Sequence, residues 1–303
     1  QFGADLVVSE MVASQEMVQA KPGTRERAEL GIGTEQSSVQ LAGRDPAWMA
    51  RAARMIADQG AEIIDINMGC PAKKVVGGLS GSALMRAPDH ALRMIEAVAE
   101  AVDVPVTLKM RLGWDDDMRN APDVARRAEG AGVRMLVVHG RTRCQFYKGS
   151  ADWAAIRDTV QAVSIPVIAN GDILGSETAR EALALSGARG VMIGRGIQGK
   201  PWLLAQVRAE MRGEQGPKTP DAKDFIEMVR GHYDAMLTFY GQDLGLRVAR
   251  KHLGWYMDQA ATPADLRGAL LRERDTAAVF AGLEAALAAG PEAAGCTPET
   301  VAA

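Results

Sequence analysis

Cysteine, histidine and aromatic side chains are all scarce in this 303-residue chain. Three cysteines, an odd number without framework spacing, exclude a disulfide scaffold and favour a reducing cytosol. Four histidines, none closely spaced, argue against a His-based metal centre. Phe, Trp and Tyr make up 5% of the chain, too little to indicate a stacking platform for single-stranded nucleic acid. No apolar run is long enough to span a bilayer, and no signal-peptide pattern opens the sequence, so a cytoplasmic protein without a membrane partner is expected. Net charge is only −3. Residues 276–303 hold three acids and no Lys or Arg, which leaves the remainder neutral. Nucleic-acid binding would therefore rest on local basic patches, not on global charge.

Hydrophobic side chains, at 47%, suffice for one large domain and a small one. Apolar, β-branched runs alternate with amphipathic stretches. Leu6-Val7-Val8, Val39-Gln40-Leu41, Ile63–Ile66, Val104–Met110, Leu136–Val138, Ile165–Ala169 and Gly190–Ile193 read as strands. Helices are expected near Pro46–Gln59 and Pro88–Ala101. Near-continuous apolar strands separated by helices mean a buried parallel sheet, and the short, regular connections favour a (β/α)₈ TIM barrel. Seven strands are legible where that fold has eight, so the first strand is expected to be missing. Gly213–Pro220 has linker composition, and residues 221–290 read as helical throughout. The expected organisation is a barrel over 1–212, a helical domain over 213–290 and a disordered tail over 291–303.

Barrel enzymes gather their chemistry at the C-terminal ends of the strands. Six short motifs sit there: Gln40-Leu41-Ala42, Asn67-Met68-Gly69-Cys70-Pro71, Lys109-Met110-Arg111, His139-Gly140-Arg141-Thr142-Arg143, Asn170-Gly171-Asp172 and Gly194-Arg195-Gly196. A thiol at Cys70, in a turn set by Gly69 and Pro71, could donate a proton or attack an electrophile; most free cysteines are simply small buried residues. Cys144 is a rival near another strand end, and Cys296 lies in the acidic tail. Gly171 and Gly194 follow the last two strands, where barrels often bind phosphate, and Arg195 could fork onto its oxygens. Lys109 is the one charge of its strand, and alternation puts Arg111 on the same face. A cation at the barrel mouth would stabilise an anionic ring. His139 suits a structural role about as well as a ligand contact. Basic residues gather on the expected rim (Lys73, Lys74, Arg141, Arg143, Lys148, Arg195, Lys200), and Arg247, Arg250 and Lys251 form a stripe at helical spacing.

As an ordered set these motifs resemble the tRNA-dihydrouridine synthases, in particular the bacterial B-type, nitrogen-regulation-like branch. Lys73-Lys74-Val75, Gln145, Tyr147, Gly149, Ala151-Asp152-Trp153, Met192-Ile193 and Arg250–Tyr256 extend the likeness over nearly the whole chain. The resemblance implies an FMN-containing barrel, NADPH as reductant and tRNA as partner, in a monomer without metal. It implies that Cys70 is the proton donor and that Gln40 and Lys109 meet the flavin ring. His139, Asn170, Gly171, Asp172, Gly194 and Arg195 would contact the rest of the cofactor. Asn67 would meet the uracil edge, and Arg141, Arg250 and Lys251 would meet RNA. The family's first strand carries an Ala-Pro-Met-type loop over the flavin, which the legible strands do not include. The competing expectations are an FMN barrel acting on a small molecule and a truncated RNA-binding remnant.

Overall fold

The computed structural model describes residues 2–19, 37–72 and 79–291. Lys73, Lys74 and the tail from residue 292, with Cys296, lie outside the described residues. The chain divides into two compact units, residues 4–173 with 177–193, and residues 1–3 and 174–176 with 194–303.

The first unit is a curled parallel sheet with surrounding helices, the (β/α)₈ TIM-barrel architecture. Its elements are β1 (Val7–Val8), β2 (Val12–Ala13), α1 (Ser14–Val18), β3 (Ser37–Ala42), α2 (Pro46–Asp58), β4 (Ile63–Met68) and α3 (Pro88–Ala99). There follow β5 (Val106–Arg111), α4 (Ala121–Gly130), β6 (Met135–His139), α5 (Arg157–Ala162), β7 (Val167–Asn170), α6 (Ser176–Ser186) and β8 (Gly190–Met192). Strand order is β1-β3-β4-β5-β6-β7-β8, with β2 also on β3, and every pairing is parallel.

β1 and β2 are two pieces of one stave. Val7 and Val8 pair with Ser37 and Ser38, while Val12 and Ala13 pair with Leu41 and Ala42. Ser9 bridges the break: its backbone N–H donates to Ser38 O at 2.9 Å, and its hydroxyl accepts from Gln40 N at 3.1 Å. Seven staves thus stand side by side, and among the described residues β8 is not paired with β1.

The helices follow from local rules. Pro46 occupies the first turn of α2, and the Asp45 carboxylate caps it by accepting from Trp48 N at 3.0 Å. Met49, Ala52, Ala53 and Ile56 then form its buried stripe. Pro88 opens α3 in the same way, and Ala91, Met94, Ile95 and Val98 face the sheet side.

The second unit carries α7 (Leu203–Met211), α8 (Ala222–Tyr240), α9 (Gln242–Gln259), α10 (Ala264–Arg272) and α11 (Thr276–Leu287). Asp221 and Asp275 cap α8 and α11. Phe225, Tyr233, Leu253, Met257, Val279 and Leu283 form the core, each 1% exposed or less. Trp202, Phe225 and Tyr256 stack edge to face at 5.7 and 5.9 Å.

Two glycines on these helices behave oppositely. A Cβ on Gly245 would sit 2.7 Å from Met236 O and 2.9 Å from Leu237 Cα, so α8 and α9 approach there backbone to backbone. A Cβ on Gly231, exposed in the middle of α8, would touch nothing within 4 Å. Gly245→Ala is therefore expected to destabilise the protein by about 1–3 kcal/mol. Gly231→Ala should stabilise it by about 0.5–1 kcal/mol. Denaturant melts of the two variants check the pair; equal signs would disprove the close helix contact.

Candidate active site

Alternation along the central strands sorts apolar from polar side chains. On β4, Ile64, Ile66 and Met68 are at most 1% exposed, while Asp65 and Asn67 take the opposite face. On β5, Leu108 and Met110 are fully buried, while Thr107, Lys109 and Arg111 share the other face. Register sets these polar groups side by side: Gln40 opposite Asp65, Asp65 opposite Thr107, and Asn67 opposite Lys109. Arg111 then lies opposite His139, and His139 opposite Asn170. Five strand-borne residues predicted from sequence to act (Gln40, Asn67, Lys109, His139 and Asn170) thus stand in neighbouring register positions, with Cys70 at the exit of β4.

A hydrogen-bonded chain links the first of them. Thr107 Oγ1 and Gln40 Nε2 each donate to the Asp65 carboxylate at 2.6 Å. Asn67 Nδ2 donates to Gln40 Oε1 at 2.6 Å. Asn67 Oδ1 accepts from Gly69 N at 3.2 Å and Cys70 N at 2.9 Å. On the far side of the turn, the Cys70 carbonyl accepts from both the backbone N–H (3.1 Å) and the hydroxyl (2.9 Å) of Ser82. Ser82 is fully buried in a short 3₁₀ helix, Gly81–Arg86. The Cys70 side chain itself is half-buried.

Burial of Asp65 pushes its pKa upward, against the lowering effect of its two hydrogen bonds and of Lys109. Lys109 keeps some surface at the mouth, yet protein atoms crowd its ammonium. That desolvation, aided by Arg111, lowers its pKa from 10.5 to about 8, while Asp65 and Cys70 act in the opposite sense. The lysine is therefore a cation below about pH 8 and titrates within the working range of an enzyme. Arg111, 1% exposed, is lowered to about 10 by burial. Its Nε donates to Gly69 O at 2.8 Å, and its Nη1 donates to Thr142 O at 2.9 Å and Phe146 O at 2.8 Å. One guanidinium thus ties the Cys70 turn to the loop after β6.

Arg141, which the family resemblance assigns to RNA, is 2% exposed and wholly engaged within the chain. Its fork meets Asp172 at 2.8 and 2.6 Å, and it also donates to Gly149 O (2.6 Å), Lys148 O (3.1 Å) and His139 Nε2 (3.3 Å). All five N–H groups of the guanidinium are committed, so none is left for a phosphate. The His139 contact requires the tautomer protonated at Nδ1. Asp172 also accepts from Ala151 N at 2.7 Å and holds a positive φ of 53°, which this clamp stabilises. Gly171 has φ 110°, and a Cβ there would lie 2.7 Å from the His139 ring, so only glycine fits. Asn170 Nδ2 donates to Met192 O at 2.9 Å.

The loop after β6 carries an exposed aromatic pair. Phe146 and Tyr147 pack edge to face at 4.9 Å and are 39% and 44% exposed. Nearby, the Trp114 ring lies between Arg86, at 3.8 Å, and Arg143, at 4.7 Å. Cys144, the rival thiol, is exposed in this loop.

In the helical unit, Gly194 leads into a 3₁₀ turn, Arg195–Ile197. Arg247 and Lys251 are exposed on α9, whereas Arg250 is half-buried and donates to Glu273 O at 3.2 Å. Sequence reading passed over Asp65, Thr107 and Ser82. The only available signal was a carboxylate inside an otherwise apolar strand. Among the described residues, no cluster of three or more His, Cys, Asp or Glu could hold a metal ion, and no helix is long and apolar enough to cross a membrane.

A parallel barrel with a thiol, an ammonium and oriented amides at the strand exits has the layout of a barrel enzyme's active site. Residues 1–288 match the family model described as dihydrouridine synthase (Dus). A protein of Rhodobacter capsulatus named probable tRNA-dihydrouridine synthase is 62% identical over 287 residues, covering 94% of this chain and 88% of that protein. One of the same name from Rhizobium leguminosarum is 53% identical, covering 95% and 89%. A tRNA-dihydrouridine synthase B from Xanthomonas axonopodis is 45% identical, covering 89% and 82%. The chain belongs to the dihydrouridine synthase family.

Breaking the Arg141 clamp tests its structural role. Arg141→Met would leave the Asp172 carboxylate without its main partner and should cost about 3–5 kcal/mol in urea unfolding. Arg141→Lys, which keeps the charge but loses the fork, should fall between this variant and the parent. Wild-type stability in Arg141→Met would show that the clamp is dispensable.

Proposed function

We propose that this chain reduces the C5–C6 bond of a uridine in tRNA, with FMN as resident cofactor and NADPH as reductant. The observation that carries the reading is a half-buried thiol, Cys70, within electrostatic reach of the Lys109 ammonium at the exits of two neighbouring strands. Family membership and relatives named for tRNA-dihydrouridine synthesis support the substrate; the cofactor is what the family resemblance of the ordered motifs implies.

The residues suit a planar, partly anionic ring. Gln40 and Asn67 each use one amide N–H within the chain and retain a second. Gly69 offers bare backbone beside Lys109, where a Cβ would stand 3.7 Å from Nζ. Lys109 and Gln40 would hold the ring of the flavin. His139, Asn170, Gly171 and Asp172 would line the path of its ribityl chain. When bound and reduced by NADPH, FMN supplies the hydride that adds to C6 of the uracil.

Cys70 completes the reduction by giving its proton to C5, so the thiol must arrive protonated. Two new C–H bonds then replace the C5–C6 π bond, and the thiolate recovers its proton from solvent. Lys109, cationic below about pH 8, offsets negative charge building at the reacting ring. Asn67 orients the uracil with its remaining N–H. The target base must leave the folded tRNA, at a cost of a few kcal/mol. Exposed Phe146 and Tyr147, in the same loop as Arg143, suit an unstacked nucleotide. Lys251 and Arg247 on α9 supply phosphate contacts, with Arg250 anchored behind them.

Cys70→Ala should keep the flavin absorbance of the parent and lose dihydrouridine formation by at least about 100-fold. Normal turnover in that variant would remove Cys70 from the mechanism. Arg247→Glu combined with Lys251→Glu should weaken tRNA binding at least about tenfold and flatten the salt dependence by about two counterions, without changing flavin content. Unchanged affinity would refute the role given to α9.

A further inference from the structure

We propose that Asp65 is a positioning residue for this site: its carboxylate fixes the direction of the Gln40 and Asn67 amides, and so the backbone of the Cys70 turn, and its charge balances Lys109. The proposal rests on the reading of Cys70 as the acid, which the tests below are chosen to separate from it.

The direction of the hydrogen-bonded chain is forced from both ends. An ionised carboxylate only accepts, so Gln40 must turn its amide nitrogen to Asp65 and its oxygen to Asn67. A backbone N–H only donates, so Asn67 must turn its oxygen to Gly69 and Cys70 and its nitrogen to Gln40. The two demands agree at every link, and no amide is left misdirected. Asp65 is 2% exposed, Asn67 7% and Gln40 8%, so water has little access to relieve an error. Thr107 satisfies the remaining carboxylate oxygen.

Charge gives a second reason for an aspartate here. Lys109 stands opposite Asn67 in the register, two pairings beyond Asp65 and on the same face. The charged or titratable groups acting on it are Asp65 from β4, Arg111 from its own strand and Cys70 from the turn. Asp65 is the one carboxylate among them. Without it, burial and the Arg111 guanidinium would drive Lys109 further towards its neutral form.

Two variants separate direction from mere packing. Asp65→Asn is nearly isosteric but can donate where the chain needs an acceptor, and it removes the charge. Asp65→Asn with Asn67→Asp reverses the chain. Asp at 67 accepts from Gly69, Cys70 and a flipped Gln40, whose oxygen accepts from Asn at 65. Every partner is satisfied again, and a carboxylate still faces Lys109. Both are read on flavin-free protein by peptide-resolved mass spectrometry. Cys70 alkylation by iodoacetamide reports the turn, with Cys144 as internal control. pH-dependent acylation reports Lys109.

Asp65→Asn should alkylate Cys70 at least about fivefold faster and move the Lys109 midpoint down by about one pH unit. The double variant should return both towards the parent. Parent-like values in Asp65→Asn would overturn the proposal, and failure of the double variant to restore the thiol rate would overturn the directional chain. If Asp65→Asn does not fold, the double variant still must; unfolding of both counts against the proposal. Uridine reduction by the parent is assayed separately, so its absence would sink the functional reading while leaving Asp65 tested.

Discussion

An ionised group in the middle of a parallel sheet must be matched by its own and neighbouring strands, or it neutralises. Asp65 is that group here. It is held by Gln40 from β3 and Thr107 from β5, within reach of the Lys109 ammonium. Removing Thr107 or Gln40 would leave a buried oxygen unpaired; removing Asp65 would leave two donors and a crowded cation. The apolar faces of β4 and β5 can pack without any of this. The polar face cannot, and it is the polar face that meets the barrel mouth. Stability and chemistry are coupled at one carboxylate.

Two arginines extend the same logic outward. Arg111 ties Gly69 to the loop after β6, and Arg141 ties that loop to Asp172 at the exit of β7. Each uses the geometry of a planar fork to bind several carbonyl or carboxylate oxygens at once, which a lysine could not do. The loop itself is exposed: Phe146, at φ 57°, and Tyr147 project to solvent.

The strands were legible because buried parallel strands are nearly continuous apolar runs, and Ile63–Ile66 or Leu136–Val138 could hardly be anything else. The motifs at their ends were legible as an ordered set. The break between β1 and β2 was not, since it depends on the Ser9 hydroxyl entering the ladder beside Gln40. Nor was the 3₁₀ helix at Gly81–Arg86, whose Ser82 finds its partner in the Cys70 carbonyl 12 residues earlier. The intramolecular clamp of Arg141 was not legible, because an arginine at a rim has two fates. The choice rests on a carboxylate 31 residues away. Asp65 passed unremarked because a charge in an apolar strand looks like an interruption until its partners on two other strands are known. Arg250 followed the same pattern on α9: helical spacing exposed the stripe, but not the carbonyl of Glu273 that draws one member inward.

The Cys70 turn gathers these threads. Its two N–H groups are taken by Asn67, its Gly69 carbonyl by Arg111, and its Cys70 carbonyl by Ser82. Four backbone atoms are therefore fixed by side chains from three separate elements. The sulfur takes no part in that bracing and stays half-exposed. A proton donor needs both conditions, because a loose turn would miss hydrogen-bond distance and a buried thiol would never meet a base. Polar residues spent on the backbone leave the sulfur of the proposed acid outside the hydrogen-bonded chain, and a fold that satisfied the sulfur as well would be better sealed but could not serve the proposed proton transfer.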